Sequence, residues 1–396
     1  MDYRIEEQQR ELQAREISRR AIRAALRERI FSKLDACEWG ETAPGLVMPA
    51  SESPLEMTPD DGWKQLTWLS QITNARMASA LDCGDSEEFE AAYVLNERLS
   101  AAFLRSPSML AFGRAYGIEE EILRLFLGEL ARSPRMEFVV AMDRMVRGMS
   151  REWPTVEFLN AERTWQMACL QWMFSSPDRV RWGTQSNAIK KLYNPGGGSS
   201  DWKIPGRFGW YWENREEMRK KHSEAVARIG TERWEQTSSG EEKSELFLVN
   251  LWQGSDLILR QWVDRSLLLR RTVTVMLALE RFRLANGDYP IALSEIEESV
   301  GADDSRDPYS GQPFRYKKVD DLIRAGCAGS KNRIRVLGEK PYLLYTVGGD
   351  GNDDFGTTAS LDVFYPPSGN ALRGLSMPID LLLNVTDAEW ESACEP

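Results

Sequence analysis

The residues best spaced for chemistry follow the apolar run YLLYTV (342–347), in the segment GGDGNDDFG. Asp350, Asn352 and Asp354 stand there as D-x-N-x-D, and glycines at 349 and 351 let the backbone turn tightly. Three side-chain oxygens so placed can converge on one hard cation, and Ca2+ takes about six to eight oxygen ligands. Asp362 is close enough along the chain to add another. The set is not an EF-hand, because Gly356 falls one place late and no Glu stands at the twelfth position. The same side chains could equally close a solvated acidic turn through Asx hydrogen bonds.

Other chemistries find little footing. The single histidine, His222, sits in the charged run RKKHSE and reads as an exposed helix residue. One histidine cannot make an H-E-x-x-H zinc site, and in that setting it is a poor triad base. Neither G-x-S-x-G nor a P-loop occurs. The five cysteines (37, 83, 169, 327 and 394) are far apart with no C-x-x-C, so they read as mostly free thiols. A formal charge of −11 disfavours nonspecific nucleic-acid binding, which needs clustered Lys and Arg. Carboxylates are abundant, and a pair of them can serve as general acid and base, so a hydrolase of that kind stays open as an alternative.

These residues need elements to hold them. Residues 3–34 read as one charged helix, and 36–62 as a Pro/Gly-rich linker or wrap. From Trp63 to about Trp182 the apolar spacing is helical almost throughout, predicting antiparallel helical hairpins. A helix stop is expected at Gly84, with Ser86 capping the next helix. The rings Phe208, Trp210, Tyr211 and Trp212 form either a recognition surface or an anchor for a long loop. A long helix is expected from about Glu245 to Ala285, ended by Asn286-Gly287. Its buried stripe is Leu268, Thr272, Val275, Leu279 and Phe282, with Arg265, Arg270, Arg271 and Arg281 mainly off it. A short helix near 293–300, a turn at Asp307-Pro308, and strands at FRYKK and YLLYTV complete an α+β order.

The fold class expected is therefore mainly α. It comprises a charged N-terminal segment (1–62), a domain of antiparallel helical hairpins (63–250), and a small α+β domain (251–396) with a long helix on a short antiparallel sheet. Nothing at the amino terminus reads as a signal peptide, and no apolar run approaches the ~20 residues of a membrane span. The chain is thus expected to be cytosolic, or exported by a segment outside it.

The C-terminal motifs resemble the globular domain of the major pseudopilin of type II secretion. The resemblance rests on Leu279, Glu280, Phe282 and Arg283, then Asn286, Gly287, Tyr289 and Pro290. Asp307, Pro308, Tyr309, Gly311, Pro313, Phe314 and Tyr316 follow, and Tyr342, Leu344, Tyr345, Gly348, Asp350 and Gly351 close the series. It covers residues 258–365, about a quarter of the chain. It implies a calcium-binding loop, with Asp350 at a matching position and Asp362 standing for a later family aspartate. The loop departs from the family pattern after Gly351, so Asn352 and Asp354 rest on spacing. A pseudopilin begins with a basic leader and an apolar helix. Here about 250 polar, helical residues precede the domain, so assembly as an ordinary pilus subunit is not expected. The layout is similar to large envelope-associated proteins of planctomycete-type bacteria. It implies a noncatalytic scaffold with protein partners, on the envelope or periplasmic side. A cytosolic helical adaptor, whose C-terminal part is only a folding cap, is the further alternative.

Overall fold

The computed structural model describes residues 61–105, 109–131, 134–149, 153–175, 209–229, 244–318, 342–347 and 381–382. The helix expected at 3–34 and the Pro/Gly-rich segment as far as residue 60 lie outside them. The described part is mainly helical, with a small antiparallel sheet. Seven longer helices come first: α1 Asp61–Cys83, α2 Ser86–Leu104, α3 Met109–Leu130, α4 Met136–Gly148, α5 Thr155–Met173, α6 Tyr211–Ile229 and α7 Phe247–Asn286. A 3-10 turn Leu293–Glu295, the short α8 Glu297–Val300, and strands β1 Arg315–Lys318, β2 Tyr342–Thr346 and β3 Leu381–Leu382 follow.

The stop after α1 comes where the sequence predicts it. Gly84 has φ +74°, a left-handed backbone open to glycine without penalty, and the Asp85 N–H reaches back to the Ala80 carbonyl at 2.9 Å. The cap of α2 is shifted by one residue from the expected Ser86. Asp85 is the N-cap, accepting the Glu88 N–H at 3.0 Å, and Ser86 is the first helical residue. Asp85 does this better because its carboxylate also meets the positive end of the helix. Arg76 pairs with Glu88 while Thr73 and Asn74 meet Asn96, so residue numbers rise on one helix as they fall on the other. The two helices are an antiparallel pair.

Helix α7 packs against α3, α4 and α6, and its C-terminal half meets α8. Leu268, Thr272, Val275 and Leu279 are fully buried as the periodicity predicts, and Phe282 is partly buried. Arg265, Arg270 and Arg271 are buried as well, which the stripe does not predict. Among the described side chains from 258 onward, neighbours on several sides leave this helix no broad solvent face, and each arginine is drawn in by polar partners described below.

Two devices let α7 approach its neighbours. A Cβ at Gly113 of α3 would lie 2.7 Å from the Trp262 ring, so only hydrogen fits there. The freed space lets Trp262 stack on Tyr116 and Phe112, with centroids 5.6 and 6.0 Å apart. At the other end Gly287 takes φ +82° and its N–H caps the Arg283 carbonyl at 2.7 Å.

In the sheet, Arg315 opposes Tyr345 and Lys318 opposes Tyr342, in antiparallel register; Leu381 and Leu382 pair with the far end of β2. All five β2 residues are buried. Tyr342 and Leu344 share one hydrophobic core with Leu268, Val275 and Leu279 of α7 and with Phe89, Phe126 and Phe138 of the helical part. One apolar core therefore runs from α1 through α7 to the sheet. The absence of a bilayer-length apolar helix among the described residues agrees with the hydropathy reading.

Candidate functional site

The C-terminal motifs come together around the end of α7. Glu280, fully buried, accepts hydrogen bonds from Arg283 Nε at 2.8 Å and from the Tyr289 hydroxyl. Arg283 also lies over the Tyr289 ring, 5.8 Å from its centroid. Tyr289 packs on Tyr342 at 4.8 Å, and Tyr342 packs on Tyr316 at 5.6 Å. The Tyr316 hydroxyl donates to the Pro290 carbonyl at 2.8 Å, and Lys318 reaches Asp288 at 2.6 Å. A helix end, the Y-P turn and both strands thus share one polar-aromatic knot. Burial pushes the Tyr342 hydroxyl well above its ordinary range, and the nearby Tyr289 and Glu280 push it the same way, so it stays neutral.

Asp307 organises the second motif. Its side chain is buried, and accepts Tyr309 N–H at 2.9 Å, Ser310 Oγ at 3.1 Å and Val347 N–H at 3.1 Å, with a further bond from the Thr346 hydroxyl. The Gly311 N–H closes the turn on the Asp307 carbonyl at 2.9 Å, with Gly311 at φ +68°. Burial raises the Asp307 carboxyl above the ordinary range, and those hydrogen bonds oppose the rise. The D-P-Y-S-G turn is therefore bolted to the last residues of β2, directly before the acidic segment begins.

That segment is where the cation ligands are predicted. Asp350, Asn352, Asp354 and Asp362 lie outside the described residues. Among the described residues no group of three or more His, Cys, Asp or Glu side chains is placed to hold a metal ion. Asp307 stands at the root of the segment, but its oxygens are already engaged by backbone and hydroxyl donors.

Protein-family models, curated proteins and solved structures were all compared with the chain, and none matches.

A second polar centre, not anticipated from the sequence, lies between α3 and α7. Glu119 accepts Arg270 Nε at 2.7 Å, a second bond from Arg270 Nη2, and the Ser266 hydroxyl. Trp153 donates its ring N–H to Ser266 Oγ at 3.1 Å, while Arg270 lies 5.6 Å from the Trp153 ring centroid. One turn away Arg265 binds Glu120 at 2.6 Å. The sequence does carry a signal: Glu119 interrupts the stripe Ala115, Ile122 and Phe126 that the fold buries. A charge on an apolar helix face implies a partner from a neighbouring element.

Each buried carboxylate among the described residues has a polar or charged partner. Besides Glu119, Glu280 and Asp307, Asp264 pairs with Arg260 at 2.8 Å, and Glu162 accepts from Gln166 at 3.3 Å. Glu119, Glu280 and Asp307 join separate elements, whereas Asp264 and Glu162 are held by residues one turn away on their own helices.

His222 requires a correction. It is buried, not exposed, with Nε2 3.1 Å from Asn160 Oδ1 on α5. Helix α6 turns Asn214, Met218, His222 and Ala225 toward α5 and α7, so the histidine falls on its inner face despite charged neighbours in sequence. Burial, and Arg163 nearby, lower its pKa below the ordinary 6.5. The aromatic cluster divides. Trp210 and Trp212 are 70% and 64% exposed, whereas Tyr211 packs edge-on against Phe174 at 5.9 Å; Phe208 lies outside the described residues. Cys83 and Cys169 are free thiols, and burial pushes Cys169 up to about 12, which makes it a poor nucleophile.

Proposed function

We propose that this protein is a noncatalytic scaffold whose C-terminal part is a pseudopilin-like domain stabilised by Ca2+, acting at the cell envelope or with a secretion apparatus. The observation that carries the reading is the meeting of motif residues far apart in sequence. Glu280, Arg283, Tyr289, Tyr316 and Tyr342 form one knot, and Asp307 ties the D-P turn to the strand that feeds the acidic loop. Four ordered motifs that also interlock in space are a stronger sign of a common domain plan than four scattered matches. The calcium ligands would be Asp350, Asp362 and, by spacing, Asn352 and Asp354. The helical part supplies the surface for protein partners.

Titration calorimetry with Ca2+, and melting with and without a chelator, test the metal. A cation held only by the folded state adds stability as RT ln(1 + [L]/Kd), about 2.7 kcal/mol at 100-fold excess over Kd. The double variant Asp350→Asn, Asp354→Asn should lose that increment. Absence of any heat of binding, together with identical melting in chelator, would remove Ca2+ from the proposal. Crosslinking in cells followed by identification of captured proteins tests the scaffold: recovery of no envelope or secretion component would count against it.

A further inference from the structure

Helix α7 ends on the dipeptide Asn286-Gly287, and both residues are exposed, as are Ala285 and Asp288. Asparagine before glycine is the pair in which a backbone nitrogen most readily reaches the preceding side-chain amide, because no Cβ stands in its way. A Cβ at Gly287 would meet nothing within 4 Å, so neighbouring atoms do not block the approach either. Hydrogen bonds hold it back instead. The Gly287 N–H is donated to the Arg283 carbonyl at 2.7 Å, and Asn286 Nδ2 donates to the Phe282 carbonyl at 2.9 Å. Asn286 is also the last residue of the helix, and ring closure requires its Cα–C bond to turn out of the helical range.

We propose that Asn286 is a site of spontaneous deamidation, gated by opening of the end of α7. In the open state the Gly287 nitrogen gives up its proton to solvent and attacks the side-chain carbonyl carbon of Asn286. A carbon–nitrogen bond forms, the side-chain nitrogen takes a proton and leaves as ammonia, and a succinimide ring remains. Water then opens that ring at either carbonyl, giving aspartate or isoaspartate, with no oxidant or reductant involved. The inference is independent of the pseudopilin-like reading.

The gate is the polar-aromatic knot that follows the turn. Rotation at Asn286 carries Asp288, Tyr289 and Pro290 with it, and all three are tied down. Lys318 holds Asp288 at 2.6 Å, and the Tyr316 hydroxyl holds the Pro290 carbonyl at 2.8 Å. The Tyr289 hydroxyl is bound to buried Glu280, and its ring lies 4.8 Å from that of Tyr342. Either product keeps the gate open. A carboxylate at 286 no longer donates to the Phe282 carbonyl, and it puts negative charge at the negative end of the helix dipole. Isoaspartate also lengthens the backbone by a methylene, which moves the Gly287 N–H off the Arg283 carbonyl. Deamidation therefore acts as an irreversible ratchet that loosens the end of α7 from the sheet.

Peptide mass spectrometry on the full chain, held in mildly alkaline buffer, counts aspartate and isoaspartate at 286 against time. Folded wild type should react at least about ten-fold more slowly than the same chain in urea, because opening breaks several hydrogen bonds at once. Tyr289→Phe, with circular dichroism showing the helices intact, should speed the folded reaction about ten-fold, the effect of losing one hydrogen bond to a charged group. Gly113→Leu weakens the fold at a distance from the knot and should leave the rate at 286 unchanged. Modified chain, separated by anion exchange, should show faster hydrogen exchange across 283–289 than unreacted chain. Equal rates in folded and urea-unfolded wild type would overturn the proposal, as would the absence of product in urea. So would equal acceleration by Tyr289→Phe and Gly113→Leu, which makes global unfolding the route. Unchanged exchange in the modified chain would overturn the ratchet.

Discussion

Tyr289 donates its hydroxyl to Glu280 across the left-handed turn at Gly287, joining two residues nine apart on either side of a helix end. Because Glu280 is fully buried, the bond is made to a carboxylate that water does not reach. Tyr289→Phe should therefore cost about 1.5–3 kcal/mol, the range for a hydrogen bond to a charged group. Urea unfolding measures it, and a double-mutant cycle with Glu280→Gln should show strong coupling. Additive losses would mean that the two side chains act separately.

The Glu119–Arg270 pair makes a sharper contrast. Arg270→Met alone leaves a buried carboxylate without its bidentate partner and should destabilise by about 3–5 kcal/mol. Replacing both, as Glu119→Leu with Arg270→Met, should recover most of that loss, since an apolar pair avoids the cost of burying charge. If the double variant is no more stable than the single one, the pair contributes more than mutual neutralisation, through Ser266 and Trp153.

His222 makes folding sensitive to mild acid. Its folded-state pKa is lowered, so its contribution is complete above the ordinary 6.5 and is lost as pH falls through the lowered value. His222→Gln can still meet Asn160 but does not titrate. The gap in urea midpoint between wild type and variant should change across this window, with wild type losing ground as pH falls. A gap constant from neutral to acid pH would assign the burial of His222 no role in acid stability.

Gly113→Leu should force the Trp262 ring off Tyr116 and Phe112. Overpacking of this kind costs about 1–3 kcal/mol, and a leucine cannot be absorbed where even a Cβ meets the ring at 2.7 Å. Near-ultraviolet circular dichroism should lose aromatic signal along with the stability. An unchanged spectrum with unchanged stability would show that α3 and α7 can part at this point without cost.

Periodicity alone located most of the described helices, because an apolar stripe at 3.6-residue spacing and a glycine stop are local properties of the chain. The stop at Gly84, the end of α7 at Gly287, the Asp307 turn and both principal strands were legible for that reason. The order of motifs from Leu279 to Gly351 also carried the resemblance and the proposed cation ligands, although the ligands themselves lie outside the described residues. What only the tertiary structure decided is which charges are inside. Arg265, Arg270, Arg271 and His222 sit in runs that look solvated, yet all four are buried. Their partners come from other segments: Glu120 and Glu119 on α3, the Arg306 carbonyl beyond α8, and Asn160 on α5. A buried charge is permitted by its partner, and partners 35 to 151 residues away leave no periodic trace near the residue they hold.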